Sequence, residues 1–169
     1  MTGGVRRAAA VAAIASLALP GCASSRARGG GGPVSEVTAD VGVGTAPDID
    51  RKAREVLARY RFQVIRAQPP PDVYYETEWL RRDPFDDERS AGAEAAQSRV
   101  IVRARQRGLG ISSTSIANTF AIDVTVENMV RAEGGGDFRP APVTAAFRAF
   151  AKKITDELEL ELRSGLRRG

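Results

Sequence analysis

The stretch Val143–Leu162 constrains the fold more than any other part of the chain. Val143, Ala146, Phe147, Phe150, Ile154, Leu158 and Leu162 recur at steps of three and four, the spacing that lines side chains along one face of an α-helix. Pro142 stands where a first-turn proline is tolerated, and Gly165 where a helix ends. A helix of that length runs about 30 Å. Its apolar stripe must lie on another apolar surface, and the residues before it offer one.

That surface is written as alternation. Asn118–Arg131 sets Phe120, Ile122, Val124 and Val126 against Asp123, Thr125 and Glu127, the period of a half-buried strand. Ser98–Arg107 does the same, with Val100, Val102 and Ala104 inward and Arg103, Arg105 and Arg107 outward. Val73–Leu80 reads as one strand, with Val73, Tyr75, Thr77 and Trp79 on one face and Tyr74, Glu76, Glu78 and Leu80 on the other. Phe62–Ala67 reads as a short strand stopped by Pro69-Pro70-Pro71. Asp48–Tyr60 is a first helix, capped by Thr45 or Asp48. Its stripe is Ile49, Ala53, Val56, Leu57 and Tyr60. Arg51, Lys52, Arg54, Glu55 and Arg59 fall off that stripe and read as a solvated face. Arg81–Gln97, with its Asp, Glu, Gly and Ala, reads as a long exposed loop, Gly108–Ala117 as a turn and Gly134-Gly135-Gly136 as a break. The expectation is an α+β domain over 48–163, an antiparallel four-stranded sheet with two helices on one face, followed by a disordered tail over 164–169.

The N-terminus reads as an address. Arg6 and Arg7 precede the uncharged run Ala8–Leu19. Twelve helical residues span about 18 Å, short of the roughly 30 Å hydrocarbon core, so the run reads as a signal-peptide h-region rather than a membrane span. Leu19-Pro20-Gly21-Cys22 follows, and Cys22 is the only cysteine of the chain. This resembles the lipobox of bacterial lipoproteins, and that resemblance implies cleavage before Cys22 and lipidation of its thiol. The other reading is an ordinary signal cut after Ala23, with Gly21 and Ala23 as the small residues. Ala23–Pro33 (ASSRARGGGGP) has linker composition. Val37, Ala39, Val41 and Val43 alternate, so 36–43 is an edge strand or more of the tether. The division is therefore 1–21 signal peptide, 22–47 lipidated cysteine and tether, and 48–163 folded domain.

Composition narrows the chemistry. The chain lacks histidine, which excludes a Ser-His-Asp triad, a Cys-His pair and an imidazole metal site. One cysteine forms no internal disulfide. Loss of 1–21 removes Arg6 and Arg7, so the charge balance falls from 25 against 21 to 23 against 21. No concentrated basic face then argues for nucleic acid, and none is expected as a partner. Arg103, Arg105 and Arg107 form a possible docking stripe for anionic groups, or cross-strand partners for Glu76, Glu78, Asp123 and Glu127. Tyr74, Leu80 and Ile101 interrupt the charges and allow an interface instead. Trp79 is a core anchor or a partner contact. Glu76 and Glu78 have the spacing of a glycosidase pair, but their alternation favours exposed salt bridges. Asp83, Asp86, Asp87 and Glu88 lack the spacing of a calcium loop and read as solvated. Ser112–Ser115 and Gly108-Leu109-Gly110 lack the frames of a nucleophile elbow and a phosphate loop. No cofactor and no metal are expected.

Leu19-Pro20-Gly21-Cys22 resembles the lipobox of bacterial lipoproteins. That resemblance implies diacylglycerol on the Cys22 thiol and acylation of the new amino terminus. The run LARYRFQVI through YYETEW resembles the helix-grip domains of BamC-type envelope-assembly lipoproteins, and the element order is similar to LptE-type lipoproteins. These resemblances imply a non-catalytic accessory, not an enzyme, acting by binding in outer-membrane assembly or maintenance. They also imply membrane attachment through the N-terminal lipid and an envelope protein as partner. The absence of Asp after the cysteine implies the periplasmic side of the outer membrane in a Gram-negative cell; otherwise the place is the outer face of the cytoplasmic membrane. An alternative use is a small-lipid carrier with a pocket between the last helix and the sheet.

Overall fold

A computed structural model describes residues 34–106 and 119–166. Cys22, the signal segment, Ala23–Pro33, Arg107 and the 108–117 turn lie outside the described residues. The elements run β1 (Glu36–Thr45), α1 (Ala46–Arg59), β2 (Val64–Gln68), β3 (Asp72–Thr77), β4 (Leu80–Arg82), α2 (Asp86–Ser90), β5 (Ala93–Gln106), β6 (Thr119–Ala132), β7 (Arg139–Pro140) and α3 (Ala145–Leu166). The fold is α+β, with every strand pairing antiparallel.

The sheet order is β1-β6-β5-β3-β2, with β4 beside β5 and β7 beside β6. β3 and β4 take opposite ends of the same β5 edge, and β1 and β7 share the other edge of β6. Among the described residues, the expected four strands and two helices thus become seven strands and three helices. Residues 36–45 are a paired strand, with Val37 opposite Val126 and Ala39 opposite Val124. A bulge between Asp40 and Gly42 shifts the register. Val41 is consequently buried and Gly42 takes φ 101°, a conformation glycine adopts freely. α3 continues to Leu166, past the boundary expected at 163.

One face of the sheet carries the core. Val100 pairs with Val126, Val102 with Val124 and Ala104 with Ile122, and all six are buried. Ile49, Val56 and Leu57 of α1 and Phe147, Ile154 and Leu158 of α3 pack on them. Each such side chain contributes roughly 1.5–3 kcal/mol by leaving water. α1 starts on Thr45, whose Oγ1 accepts the Asp48 N–H (3.4 Å) and donates to the Asp48 carboxylate (2.8 Å). It ends in a two-bond cap, the Phe62 N–H donating to the Leu57 carbonyl and the Arg61 N–H to Ala58, both 2.9 Å. Arg61 sits at φ 66°, where glycine is usual.

The charges of α1 are only partly a solvated face. Lys52 donates to Glu161 (2.7 Å) and Arg59 to Glu161 (2.9 Å), while the Tyr60 hydroxyl donates to Glu157 (2.8 Å). These bonds tie α1 to α3 side by side.

Candidate functional site

The opposite face of the sheet is open to solvent along β5, β3 and β6, and its centre is Arg99. This guanidinium bonds Glu127, directly opposite it on β6, and Glu76, set diagonally from it on β3. It lies 4.7 Å over the Trp79 ring, near enough for a cation–π contact. The Tyr74 hydroxyl donates to the other Glu76 oxygen at 2.9 Å. Burial, then that carboxylate, raises the Tyr74 hydroxyl above its ordinary range. Ile101 sits on this face, opposite Glu76 and Thr125, and is buried.

Towards the far end of β5 the ion pairing stops. Arg66 and Arg103 lie 5.3 and 5.7 Å from the Tyr74 ring centre. Arg103 and Arg105 are exposed. Among the described residues, none of these three arginines has an ion pair. Asp123 stands opposite Arg103 and Asp72 opposite Arg105 in the register, so the face runs from the paired Trp79–Arg99 patch to an end of mixed charge around Tyr74 where the arginines are not in ion-pair contact among the described residues.

Of the site residues expected from sequence, Arg103 and Arg105 stand on this face, and Trp79 joins it by a route the sequence conceals. The run 73–80 is not one strand. β3 stops at Thr77 and pairing resumes at Leu80, so the alternation changes phase. Leu80 packs against the core, while Trp79 is half-buried beneath Arg99 and outside the core cluster. The expected partnership of Glu76 and Glu127 with Arg103 and Arg105 is corrected as well, because Arg99 takes both carboxylates. Arg99 has the parity of the Arg103–Arg105 stripe; extending that period towards the start of the strand finds it.

The second departure is at 81–97. The expected exposed loop is β4, α2 and the start of β5. Arg82 and Glu88 form a double hydrogen bond, both contacts 2.7 Å, with side chains only 13% and 2% exposed. The remaining Arg82 donors reach Ser98 Oγ (3.1 Å), the Asp83 carbonyl (3.0 Å) and Asn128 Oδ1 (2.8 Å). Glu88 also accepts from the Phe85 N–H and the Asn128 amide, each 2.8 Å. Burial alone would raise the Glu88 carboxyl, but Arg82, the Phe85 N–H and Asn128 outweigh it and hold it below its ordinary value. A carboxylate with four donors and a lowered pKa is a structural anion, poorly suited to proton transfer. Next to it, Asp87 accepts the Ala146 N–H at 3.0 Å and caps α3; that bond is the first cause of its own lowered pKa. The polar run DPFDDE reads as solvated in sequence because polarity carries no mark of burial.

Phe147, Ile154 and Leu158 are buried between α3 and the sheet, and a cleft of about 340 Å³ runs between α3 and β1, lined in part by Val37, Val41, Lys152 and Thr155. Among the described residues, no group of His, Cys, Asp and Glu has the arrangement of a metal site, and no helix is long and apolar enough to cross a membrane. No protein-family model matches the chain, and comparison with curated proteins finds no relative.

Proposed function

We propose that this chain is a lipid-anchored envelope protein that acts by binding, with the open sheet face as its contact surface and no catalytic step. The observation that carries the anchor is Leu19-Pro20-Gly21-Cys22 with no other cysteine in the chain. Acyl chains contribute roughly 0.8 kcal/mol per buried CH2, so two or three hold a protein at a membrane. The residues between Cys22 and β1 have linker composition, and a coil of that length spans roughly 20 Å. This is reach enough for a domain to meet a partner beside the membrane. Its place, on this reading, is the periplasmic side of the outer membrane.

What supports the binding surface is its composition. Trp79, Tyr74 and the arginines Arg66, Arg103 and Arg105, which have no ion pair among the described residues, stand on the side that the helices leave uncovered, and Trp, Tyr and Arg dominate contact energy at protein interfaces. A photo-reactive residue at position 103 or 105, introduced in intact membranes, tests it. Adducts with one envelope protein are expected from these positions and not from Lys153 on the exposed side of α3. Equal adducts from both faces would contradict the assignment.

A further inference from the structure

A second cationic feature lies away from the open-face arginines. A cleft of about 600 Å³ is lined by Arg61, Leu80, Arg81, Arg131, Phe138 and the Arg82 end of the buried pair, with Asp83 and Ala95–Ala96 completing it. Its arginines differ in state. Arg82 is neutralised by Glu88, with every N–H donor engaged. Arg61 and Arg81 are exposed and, among the described residues, have no ion pair. Arg131 is held over the Phe138 ring at 5.5 Å and touches Glu94 only at 3.6 Å. Its Nε is buried with no hydrogen-bond partner. That atom has almost no accessible surface, so a ligand in the cleft reaches Arg131 through its other guanidinium nitrogens.

Arg61 adds an independent sign. It occupies the left-handed position after α1, φ 66°, where glycine costs nothing and an arginine does. Retained strain of this kind is a pointer to function. Here the strained residue sends its side chain to the same cleft. Guanidinium forks match phosphate oxygens in shape and charge, and three of them outnumber the one lining carboxylate, Asp83.

We infer that this cleft binds a phosphate group, with Arg61, Arg81 and Arg131 as its ligands and Phe138 and Leu80 against the adjoining apolar part of the molecule. The inference does not depend on the anchor, so it stands or falls separately from it. The test titrates the full chain in non-ionic detergent with glycerol 1-phosphate and, separately, with phosphatidylglycerol in mixed micelles, using diacylglycerol as the uncharged control. Binding of both phosphate probes, weakening as salt rises, assigns the site to the phosphate itself. Binding of phosphatidylglycerol alone assigns it to a lipid headgroup.

Arg61→Gly removes a ligand while relieving strain, so it is expected to keep or raise thermal stability and to weaken binding at least tenfold. Arg131→Met is expected to weaken it similarly, and Lys153→Met, which removes one charge from the exposed side of α3, to leave it unchanged. No binding of either probe would overturn the assignment, as would equal loss with Lys153→Met. Full binding by Arg61→Gly at unchanged stability would overturn it too.

Discussion

Replacing Glu88 by Gln isolates the buried pair. The amide has nearly the shape of the carboxylate, so packing against α3 is little disturbed. What changes is the hydrogen bonding. The two carboxylate oxygens accept four bonds, from two Arg82 nitrogens, the Phe85 N–H and the Asn128 amide. Glutamine keeps one oxygen and puts an NH2 group where the other stood, facing two donors. Each buried donor left without an acceptor costs about 1–3 kcal/mol, and breaking a buried ion pair typically costs about 3–5 kcal/mol. The expected loss is thus roughly 3–4 kcal/mol. For a domain of this size that lowers Tm by roughly 10–15 °C. Urea unfolding followed by circular dichroism gives the free energy directly, with the m-value as the check that the folded state is unchanged. The double variant Arg82→Met/Glu88→Leu removes both charges and is expected to recover part of the loss, because an apolar pair leaves no unpaired ion. A Glu88→Gln protein within about 1 kcal/mol of wild type would refute the reasoning. So would a double variant worse than the sum of the single changes.

Further expectations concern the core, the helix pair and pH. Leu158→Ala should cost roughly 2–5 kcal/mol, since this side chain is buried between α3 and the sheet; chemical denaturation measures it. Gly44→Ala should cost roughly 1–3 kcal/mol, because an added Cβ would meet Ile49 at 3.2 Å, Ile122 at 3.3 Å and Leu162 at 3.5 Å. Stability should form a plateau in pH. Glu88, Asp87, Glu157 and Glu161 are all held below their ordinary values, so their contribution is present above the unfolded carboxyl range and is lost as pH falls through the lowered folded values. Burial, and then Glu157 and Asp50, push Tyr60 and Tyr75 up to about 12. Their contribution is present below the ordinary value of 10.0 and is lost as pH rises through the folded value. Phenolate absorbance should show all three tyrosines titrating late, Tyr60 and Tyr75 furthest, with the Tyr60 step abolished by Tyr60→Phe.

The parts of the fold legible in sequence are those where one period runs unbroken. The alternation of β6 and the Ile49–Leu57 stripe of α1 bury the residues their spacing selects, and the α3 stripe buries Phe147, Ile154, Leu158 and Leu162 while Val143, Ala146 and Phe150 stay half-buried. Legibility fails where the period is interrupted or the burial is polar. β1 is legible only as one of two readings, since the alternation of Val37, Ala39 and Val41 changes phase at the Asp40–Gly42 bulge and leaves Val43 half-buried. The gap after Thr77 turns Trp79 to the open face, although an unbroken strand would have carried it inward. Arg82, Glu88 and Asn128 are buried because they satisfy one another, and that property belongs to the trio rather than to any residue in it. The arginine stripe is visible, but its division into an ion-paired Arg99 and, among the described residues, Arg103 and Arg105 without ion pairs depends on side-chain geometry that the spacing does not carry.

On the proposed function, Cys22 fixes the protein to a membrane through lipid. Intact-mass spectrometry of the mature protein from membranes, with palmitate labelling alongside, tests this. The expected product is a chain beginning at Cys22 that carries a diacylglycerol and an amide-linked acyl group, with labelling abolished by Cys22→Ala. A mature chain beginning at Ser24 with no lipid, or equal palmitate labelling of Cys22→Ala and wild type, would contradict it.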